Sequence, residues 1–585
     1  MLGKNRRSEG DKTMTILRFL AFALSSLGWW TALQRRTGAA CAFLPSLTVA
    51  LQGIFLFFCG LLNLLPEGVW GLLLGGLAAL ALTLRREKGA AALKPFCDTA
   101  FLFFAAALAL MGFSLRGRIF THYDNFTHWA LVVRNMLETD RFPNFRDSLL
   151  IFQAYPLGSA AFVYFFSKIV GPGEGVQMLA QCYMNLACIL PLFSLGKKNS
   201  LPALLLTATA ANFFLTYNIA PNDLLVDTLL PLLGMCGALF AAQNCKRGCK
   251  GRELFFAACY AVFVTQIKNS GVFFAGLIGL ALLKNAGRES VGPRAAAALS
   301  PALPMLLWNR HCAYVFPAAA ETRHALTLTN FRATLGEKTG AEMLAVAKAM
   351  VKFSLTWRDV WLTALLFALL GALVFLFVKG VRRTWGKALL LAALFYAAYQ
   401  IGMLGMYLFS MPEAEARTLA GADRYTRSIL IAAVYLFTAA ALKTLARLPK
   451  GRALLPSALL SLALCGVLFL TTGQLRLAPL DGHDFDPATR RWIEETAQTY
   501  AIPEGSSACV LIPEPDAGYA NFVTRYVLRS GDVLSFVADE EGKLDGVKND
   551  YILLYDDIHP AIPAWVAAHY PEQLGERVIV QRDLP

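Results

Sequence analysis

Stretches of roughly 20 apolar residues, the length of a bilayer-crossing helix, recur from about residue 14 to about residue 472 and leave this chain one environment in which to fold. No water reaches a bilayer core, so a crossing segment must bond its backbone N–H and C=O groups internally, as a helix does. Hydrophobic residues make up 56% of the chain and charged residues only 16%, with 41 Phe, a composition that excludes a soluble domain. The expectation is an all-α polytopic membrane protein of about 13 or 14 transmembrane helices, followed by a small C-terminal α/β domain.

Charge divides the chain at the end of the apolar stretches. Residues 473–585 hold 9 Lys and Arg against 19 Asp and Glu, a net of −10, so with an overall +14 residues 1–472 carry +24. Basic residues of membrane proteins gather in cytoplasmic loops, so the surplus reads as topology and implies no nucleic-acid partner. Arg85-Arg86, Lys197-Lys198, Lys246-Arg247, Arg288 with Arg294, Arg382-Arg383 and the Lys443–Arg452 region are placed inside. Spans near 96–115, 176–195, 201–217, 225–243, 253–267, 270–284, 295–316, 361–379, 388–409, 427–446 and 454–472 then alternate. Residues 116–175, 218–224, 317–360, 410–426 and the acidic tail fall outside. The expected domains are 1–95 (N-terminal helices), 96–472 (catalytic body, with its outer loop 116–175) and 473–585 (extracytoplasmic).

Two stretches strain this scheme. Tyr155 to Val170 is short for a crossing and begins with Pro156 and Gly158, so it reads as a helix lying in or dipping into the outer interface. Residues 14–33 sit between Lys4, Arg6, Arg7 and Lys12 on one side and Arg35-Arg36 on the other, both of which favour the inside; whether this segment crosses fully stays open. Trp29-Trp30 and Arg35-Arg36 stand where a small-residue cleavage site would lie, which argues against a signal peptide. Of 12 Cys only Cys509 lies in the tail, so no disulfide forms within it, and Cys245 with Cys249 is too thin a set for a structural zinc site.

In the tail, Ala508–Ile512 and Tyr551–Tyr555 read as strands, and helical patterns lie near 487–499 and 560–570. Residues 473–486 read as a linker, and the tail's expected role is to cap or shape the outer face. Asp556-Asp557 at a strand end reads as turn chemistry before it reads as a site.

Polar chemistry is densest in the outer loop. His122-Tyr-Asp-Asn-Phe-Thr-His-Trp129 sets Asp124 between two imidazoles just past an apolar span. A carboxylate there can act as a base; Phe126 and Trp129 would raise its pKa, and a charged His122 or His128 would lower it. The bland alternative makes Asp124 a helix cap and Trp129 an interfacial anchor. Three further constellations lie at the outer edge. Asp223 and Asp227 are four residues apart, as if on one helix face. Lys268-Asn-Ser-Gly271 forms the turn of a helical hairpin, and Asp423-Arg424-Tyr425-Thr-Arg427 opens a late span. Cations outside the membrane oppose the positive-inside rule, and an anionic ligand such as phosphate explains them; ion pairs of Arg424 or Arg427 with Asp423, Glu413 or Glu415 are the alternative.

This layout resembles the GT-C glycosyltransferases, multi-spanning enzymes that take a sugar from a polyprenyl-phosphate carrier, in particular the aminoarabinose- and mannosyl-transferring type. The resemblance lies in Tyr123–Trp129 in the first large outer loop, Tyr155-Pro-Leu-Gly158, Lys268–Gly271, Asp423-Arg-Tyr425 and an outer soluble tail, over roughly residues 96–472. It implies Asp124 as the catalytic carboxylate, Lys268 and Arg424 at the donor phosphate and Tyr155 near the sugar; Arg427 and Tyr425 are further candidates for the phosphate. His122, His128, Tyr155 and Asp223 would line the substrate. Many members carry two adjacent acidic residues in the loop where this chain has Asp124-Asn125, so a divalent metal stays open and no other cofactor is implied. Expected partners are a polyprenyl-phosphate-linked sugar, a glycan, lipid or protein acceptor, and membrane lipid.

Glycosyl transfer needs a base for the acceptor hydroxyl, cations for the departing phosphate and a groove for the prenyl chain, and the sequence supplies candidates for each. A transporter or lipid flippase is the rival, but no internal repeat is visible and the charges gather at the outer boundary rather than at mid-bilayer. A scaffold that anchors the tail explains neither the outer cations nor the loop. Short loops and the lack of an organelle signal point to a bacterial plasma membrane with the tail extracytoplasmic.

Overall fold

The structure, a computed structural model, describes residues 2–87, 89–249, 251–284, 286–287, 290–316, 328–377, 382–481, 487–537, 546–555 and 561–581. Asp556-Asp557, Arg288 and part of the 473–486 segment lie outside the described residues. The chain forms two compact units: one comprises Met1–Arg118, Met136–Phe142 and Ala154–Gly482, the other Ile119–Asn135, Pro143–Gln153 and His483–Pro585. Asp124 therefore belongs to the same unit as the C-terminal tail.

The first unit is helical. Against the expected 13 or 14 crossings, seven described helices are long and apolar enough to span a membrane: Met14–Thr37, Cys41–Leu61, Leu65–Arg86, Glu174–Leu195, Trp385–Phe409, Ala422–Leu445 and Gly451–Thr472. Thr99–Ser114, Gly158–Val170, Leu201–Thr216, Leu229–Asn244 and Gly271–Leu283 are shorter apolar helices of 10–17 residues. Irregular backbone can continue such helices at membrane depth where protein surrounds it, and residues 220–228, buried without helix, do so here.

Residues 14–33, whose crossing the flanking arginines left open, lie in a 24-residue apolar segment. Its partner is the Leu65–Arg86 helix. A Cβ on Gly28 would stand 1.8 Å from the Gly76 carbonyl oxygen, so the two backbones meet through glycines, as small residues permit in membrane helices. Ser25 Oγ donates to the Leu73 carbonyl at 3.0 Å and Trp29 Nε1 to the Leu72 carbonyl at 2.9 Å, polar bonds made in apolar surroundings. Arg35 pairs with Glu87 at 2.5 Å, which brings the two basic helix ends to one end of the pair.

The Gly158–Val170 helix corrects an expectation. It packs against the helices Leu2–Thr37, Leu44–Leu61 and Glu174–Ile189, and all its residues but Lys168 are buried, so it is an interior helix rather than an interfacial one. Its aromatic residues explain this: Phe165 and Phe166 both pack on Phe22.

The second unit is a four-stranded sheet flanked by helices. Strands β1 (Ala508–Ile512), β2 (Val533–Val537), β3 (Tyr551–Leu554) and β4 (Val578–Val580) lie in the order β2-β1-β3-β4. β1 pairs in parallel with β2 and β3, and β3 pairs antiparallel with β4. Alternate residues of β1 enter two separate cores: Cys509 and Leu511 pack with Ile562 and Val566, while Ala508, Val510 and Ile512 pack with Ala520 and Leu528. A strand buried on both faces needs an unbroken apolar run, as Ala508–Ile512 provides. Burial pushes the Cys509 thiol up to about 12, so this lone tail cysteine is a core residue. The expected helices appear as Ala488–Thr499 and Ala561–His569.

Candidate functional site

Within the first unit, Tyr155, Lys268 and Tyr425 of the expected site residues line one cavity of about 310 Å³. Lys268, Asn269 and Ser270 enter it from the turn between the helices Gly251–Thr265 and Gly271–Leu283. Gly271 makes that turn feasible: a Cβ there would stand 2.0 Å from the Val264 carbonyl oxygen, and its N–H donates to the Lys268 carbonyl at 2.8 Å. Gly158 N–H donates to the Gln266 carbonyl at 2.6 Å, which fastens the Tyr155–Gly158 segment to the same turn. Tyr155 and Tyr425 thereby face Lys268, with the ammonium 5.9 Å and 4.9 Å from their ring centres. Aromatic faces hold a cation without neutralising it.

Lys268 is only 6% exposed, and burying an ammonium requires a partner. The partner is Asp227, whose carboxylate lies 3.1 Å from Lys268 Nζ and 3.7 Å from Arg424 Nε, so one carboxylate holds two cations. The first turns of the Ala422–Leu445 helix are pinned to the preceding segment. Ser428 Oγ donates to the Asp227 carbonyl at 2.7 Å, and Asn218 Nδ2 to the Arg424 carbonyl at 3.0 Å. Tyr399, Met403, Met406 and Met411 supply the apolar wall.

Two expectations are corrected here. Asp223 and Asp227 do not share a helix face, because residues 217–228 are irregular; Pro221 offers no N–H to a helix, and Asp223 folds back to accept from Leu224 N–H at 2.9 Å. Asp223 is 1% exposed and does not line the cavity. Arg427, expected at the donor phosphate, also does not line the cavity, and neither does Arg424. The Arg427 Nε is 3.1 Å from Asp359, with the guanidinium over Tyr217 and Trp357. Arg424 thus pairs with Asp227, and Arg427 with Asp359. Asp359 escaped the sequence reading, although an acidic residue opening an apolar helix was the available signal.

The second unit holds the remaining candidates. Asp124 is half-buried in the short Tyr123–Thr127 helix, but it is not the cap: His122 is, its Nδ1 accepting from Asp124 N–H at 3.1 Å. His128 is 2% exposed, edge-on to Trp129 and Phe152, with ring centres 4.7 Å and 6.0 Å away. The loop is clamped from the tail. Arg490, 3% exposed, donates to the Phe120 carbonyl at 2.7 Å and lies over the rings of Phe126 and Tyr526. Tyr519 Oη donates to the Thr121 carbonyl at 2.8 Å, and Arg134 to the Tyr526 carbonyl at 2.6 Å. Nothing in the sequence around Arg490 marks it. Among the described residues, no group of three or more His, Cys, Asp or Glu is arranged to hold a metal ion.

No family model matches the chain, and no curated protein matches it. Among solved structures, the crystal structure of ArnT from Cupriavidus metallidurans in the apo state is similar at 12% identity and a TM-score of 0.37, over 80% of this chain and 94% of that one. A likeness at that score carries no argument, and the chemistry rests on the residues themselves. What they establish is a helical membrane body in which a buried Lys268 lines a cavity and shares Asp227 with the half-buried Arg424, and a small α/β unit that holds the Asp124 loop.

Proposed function

We propose that the chain is a membrane glycosyltransferase of GT-C type that moves a sugar from a polyprenyl-phosphate carrier to a hydroxyl acceptor. The observation that carries this reading is Lys268, buried beside Asp227 and Arg424 on the wall of a cavity whose other walls are Tyr155, Tyr425 and methionines. A buried ammonium with a half-buried guanidinium beside it suits a phosphate whose charge grows as it leaves, and a flexible methionine wall suits an isoprenoid chain.

In the proposed reaction the acceptor oxygen bonds to the anomeric carbon as the bond from that carbon to the phosphate oxygen breaks. The electron pair of the broken bond leaves with polyprenyl phosphate, stabilised by Lys268 and Arg424, and Asp124 takes the hydroxyl proton. Arg427, fixed on Asp359, contributes by holding the first turns of the Ala422–Leu445 helix, and His122 by holding the first turn around Asp124. The acceptor belongs to the cell envelope, in a bacterial plasma membrane with the tail outside.

The test is transfer of labelled sugar from polyprenyl-phosphate donors in membranes containing the wild-type chain, Asp124→Asn or Lys268→Met at matched expression. Loss of about 100- to 10,000-fold in Asp124→Asn is expected of a general base, and about 100-fold or more in Lys268→Met of a removed charge stabiliser. Equal transfer by wild type and both variants would overturn the assignment; no transfer by the wild type from any donor, with polyprenyl phosphate moved between leaflets instead, would favour a flippase.

A further inference from the structure

A second and larger cavity of the first unit, about 790 Å³, is lined by none of the candidate site residues. Its walls come from the Met14–Thr37 segment, the Gly89–Phe96 segment and the helices Thr99–Ser114 and Glu174–Ile189, and aromatic rings dominate them: Phe19, Phe22, Trp30, Phe96, Phe101 and Phe104. Trp30 packs among the last three, with ring centres 6.2, 5.5 and 6.1 Å away. An apolar hollow of this size in a membrane body is a place for a hydrocarbon chain.

One end of the cavity is polar, and its groups are spent on each other. Asp98 accepts from Ala100 N–H and Phe101 N–H at 3.1 and 3.2 Å, so its charge rests on the N-terminus of the Thr99–Ser114 helix. Asn199 Oδ1 accepts from the N–H and hydroxyl of Thr99, both at 3.1 Å. Exposed cations flank these same segments. Lys94 sits between the lining residues Leu93 and Phe96, and Lys198 precedes the lining residue Asn199. Lys197 is engaged elsewhere, donating to the Leu448 carbonyl at 2.6 Å. By the positive-inside rule this end faces the cytoplasmic leaflet, which is rich in anionic lipid.

We infer that this cavity binds an anionic glycerophospholipid, with one acyl chain among the aromatic rings beside Trp30 and the phosphate at Lys94 and Lys198. The assignment is independent of the proposed reaction, because no residue is shared. A free phosphate ion would leave the aromatic hollow unfilled, and a zwitterionic lipid would fill the hollow but weaken the attraction to the lysines through its own headgroup cation.

The experiment places the full-length chain in nanodiscs containing a small fraction of phosphatidylglycerol or phosphatidylcholine with brominated acyl chains, which quench nearby tryptophan fluorescence. Trp30→Phe identifies that residue's share among the 10 tryptophans. Quenching of the Trp30 share is expected to favour phosphatidylglycerol, and Lys94→Ala and Lys198→Ala are each expected to lower that preference about fivefold. Both lysines are exposed, so these variants fold. Equal quenching by the two headgroups, a Trp30→Phe signal identical to wild type, unchanged preference in the lysine variants, or displacement by equimolar polyprenyl phosphate would each overturn the proposal.

Discussion

Both units bury cationic side chains, and they satisfy them in opposite ways. In the body, Lys268 and Arg424 share Asp227, and Arg427 takes Asp359; both carboxylates are 3% exposed and come from distant segments. In the second unit Arg490 uses Glu494 of its own helix, 2.8 Å away and 39% exposed, together with a carbonyl and two rings. The contrast lies in the carboxylates. Asp227 and Asp359 are sealed from water, so each needs a cation and the removal of that cation strands the buried charge, whereas Glu494 keeps its hydration and the buried Arg490 relies on a carbonyl and two rings as well. A body cation is therefore held ready beside a cavity, and Arg490 acts as a clamp.

The contrast is tested most severely at Lys268. Lys268→Met is expected to abolish transfer and to destabilise the body by about 3–5 kcal/mol, because Asp227 loses its nearest partner. Adding Asp227→Asn should restore most of the stability, read as thermal unfolding in detergent, without restoring transfer. If the double variant regains transfer, Lys268 serves packing alone.

Arg427→Met is expected to destabilise by about 3 kcal/mol, with Asp359→Asn compensating, and the protein that stays folded should keep its affinity for donor. A large rise in KM at unchanged stability would instead return Arg427 to the phosphate site. Arg490→Met should loosen the second unit by about 1.5–3 kcal/mol, the worth of a hydrogen bond to a charged group. Amide exchange should then speed up in residues 119–135 while the helices of the body remain protected.

His122→Ala should cost about 1 kcal/mol of local stability, as loss of a helix cap does, and His122→Asn should retain the cap. Equal effects of the two variants would mean that the imidazole itself is needed. The smallest effect expected is that of pH at Glu342. Its carboxyl is held down to about 2 by the Thr339 N–H, the Thr339 hydroxyl and Arg417, within a capping box that opens the Gly340–Thr356 helix. A depressed carboxylate pKa stabilises above its ordinary value of 4.5 and loses that contribution as pH falls towards 2. Amide protection in the first turn of that helix should therefore hold at pH 6 and decline between about pH 4.5 and 2; a profile flat over that range would mean that Arg417 and Thr339 do not hold Glu342.

Much of the fold was legible because the bilayer imposes a length and a composition that the sequence must display. The tail strands Ala508–Ile512 and Tyr551–Leu554 were visible as apolar runs, whereas Val578–Val580 is too short to show a period and Val533–Val537 alternates only weakly. The Gly158–Val170 helix was misplaced because a short apolar run looks the same whether lipid or protein surrounds it. The Asp223–Asp227 pair was misread because spacing was taken for helix where Pro221 allows none.

The sequence by itself determined a basic helical membrane body, an acidic α/β tail and the residue types able to bind phosphate, since these follow from hydropathy, charge and local turn chemistry. Only the tertiary structure decided that Asp227 holds Lys268 and Arg424 together, that Asp359 takes Arg427 away from them, and that Arg490 clamps the Asp124 loop. Each of those pairings joins segments 41 to 370 residues apart. No local pattern encodes such a partner, because the choice is made by the desolvation of charges that packing brings together.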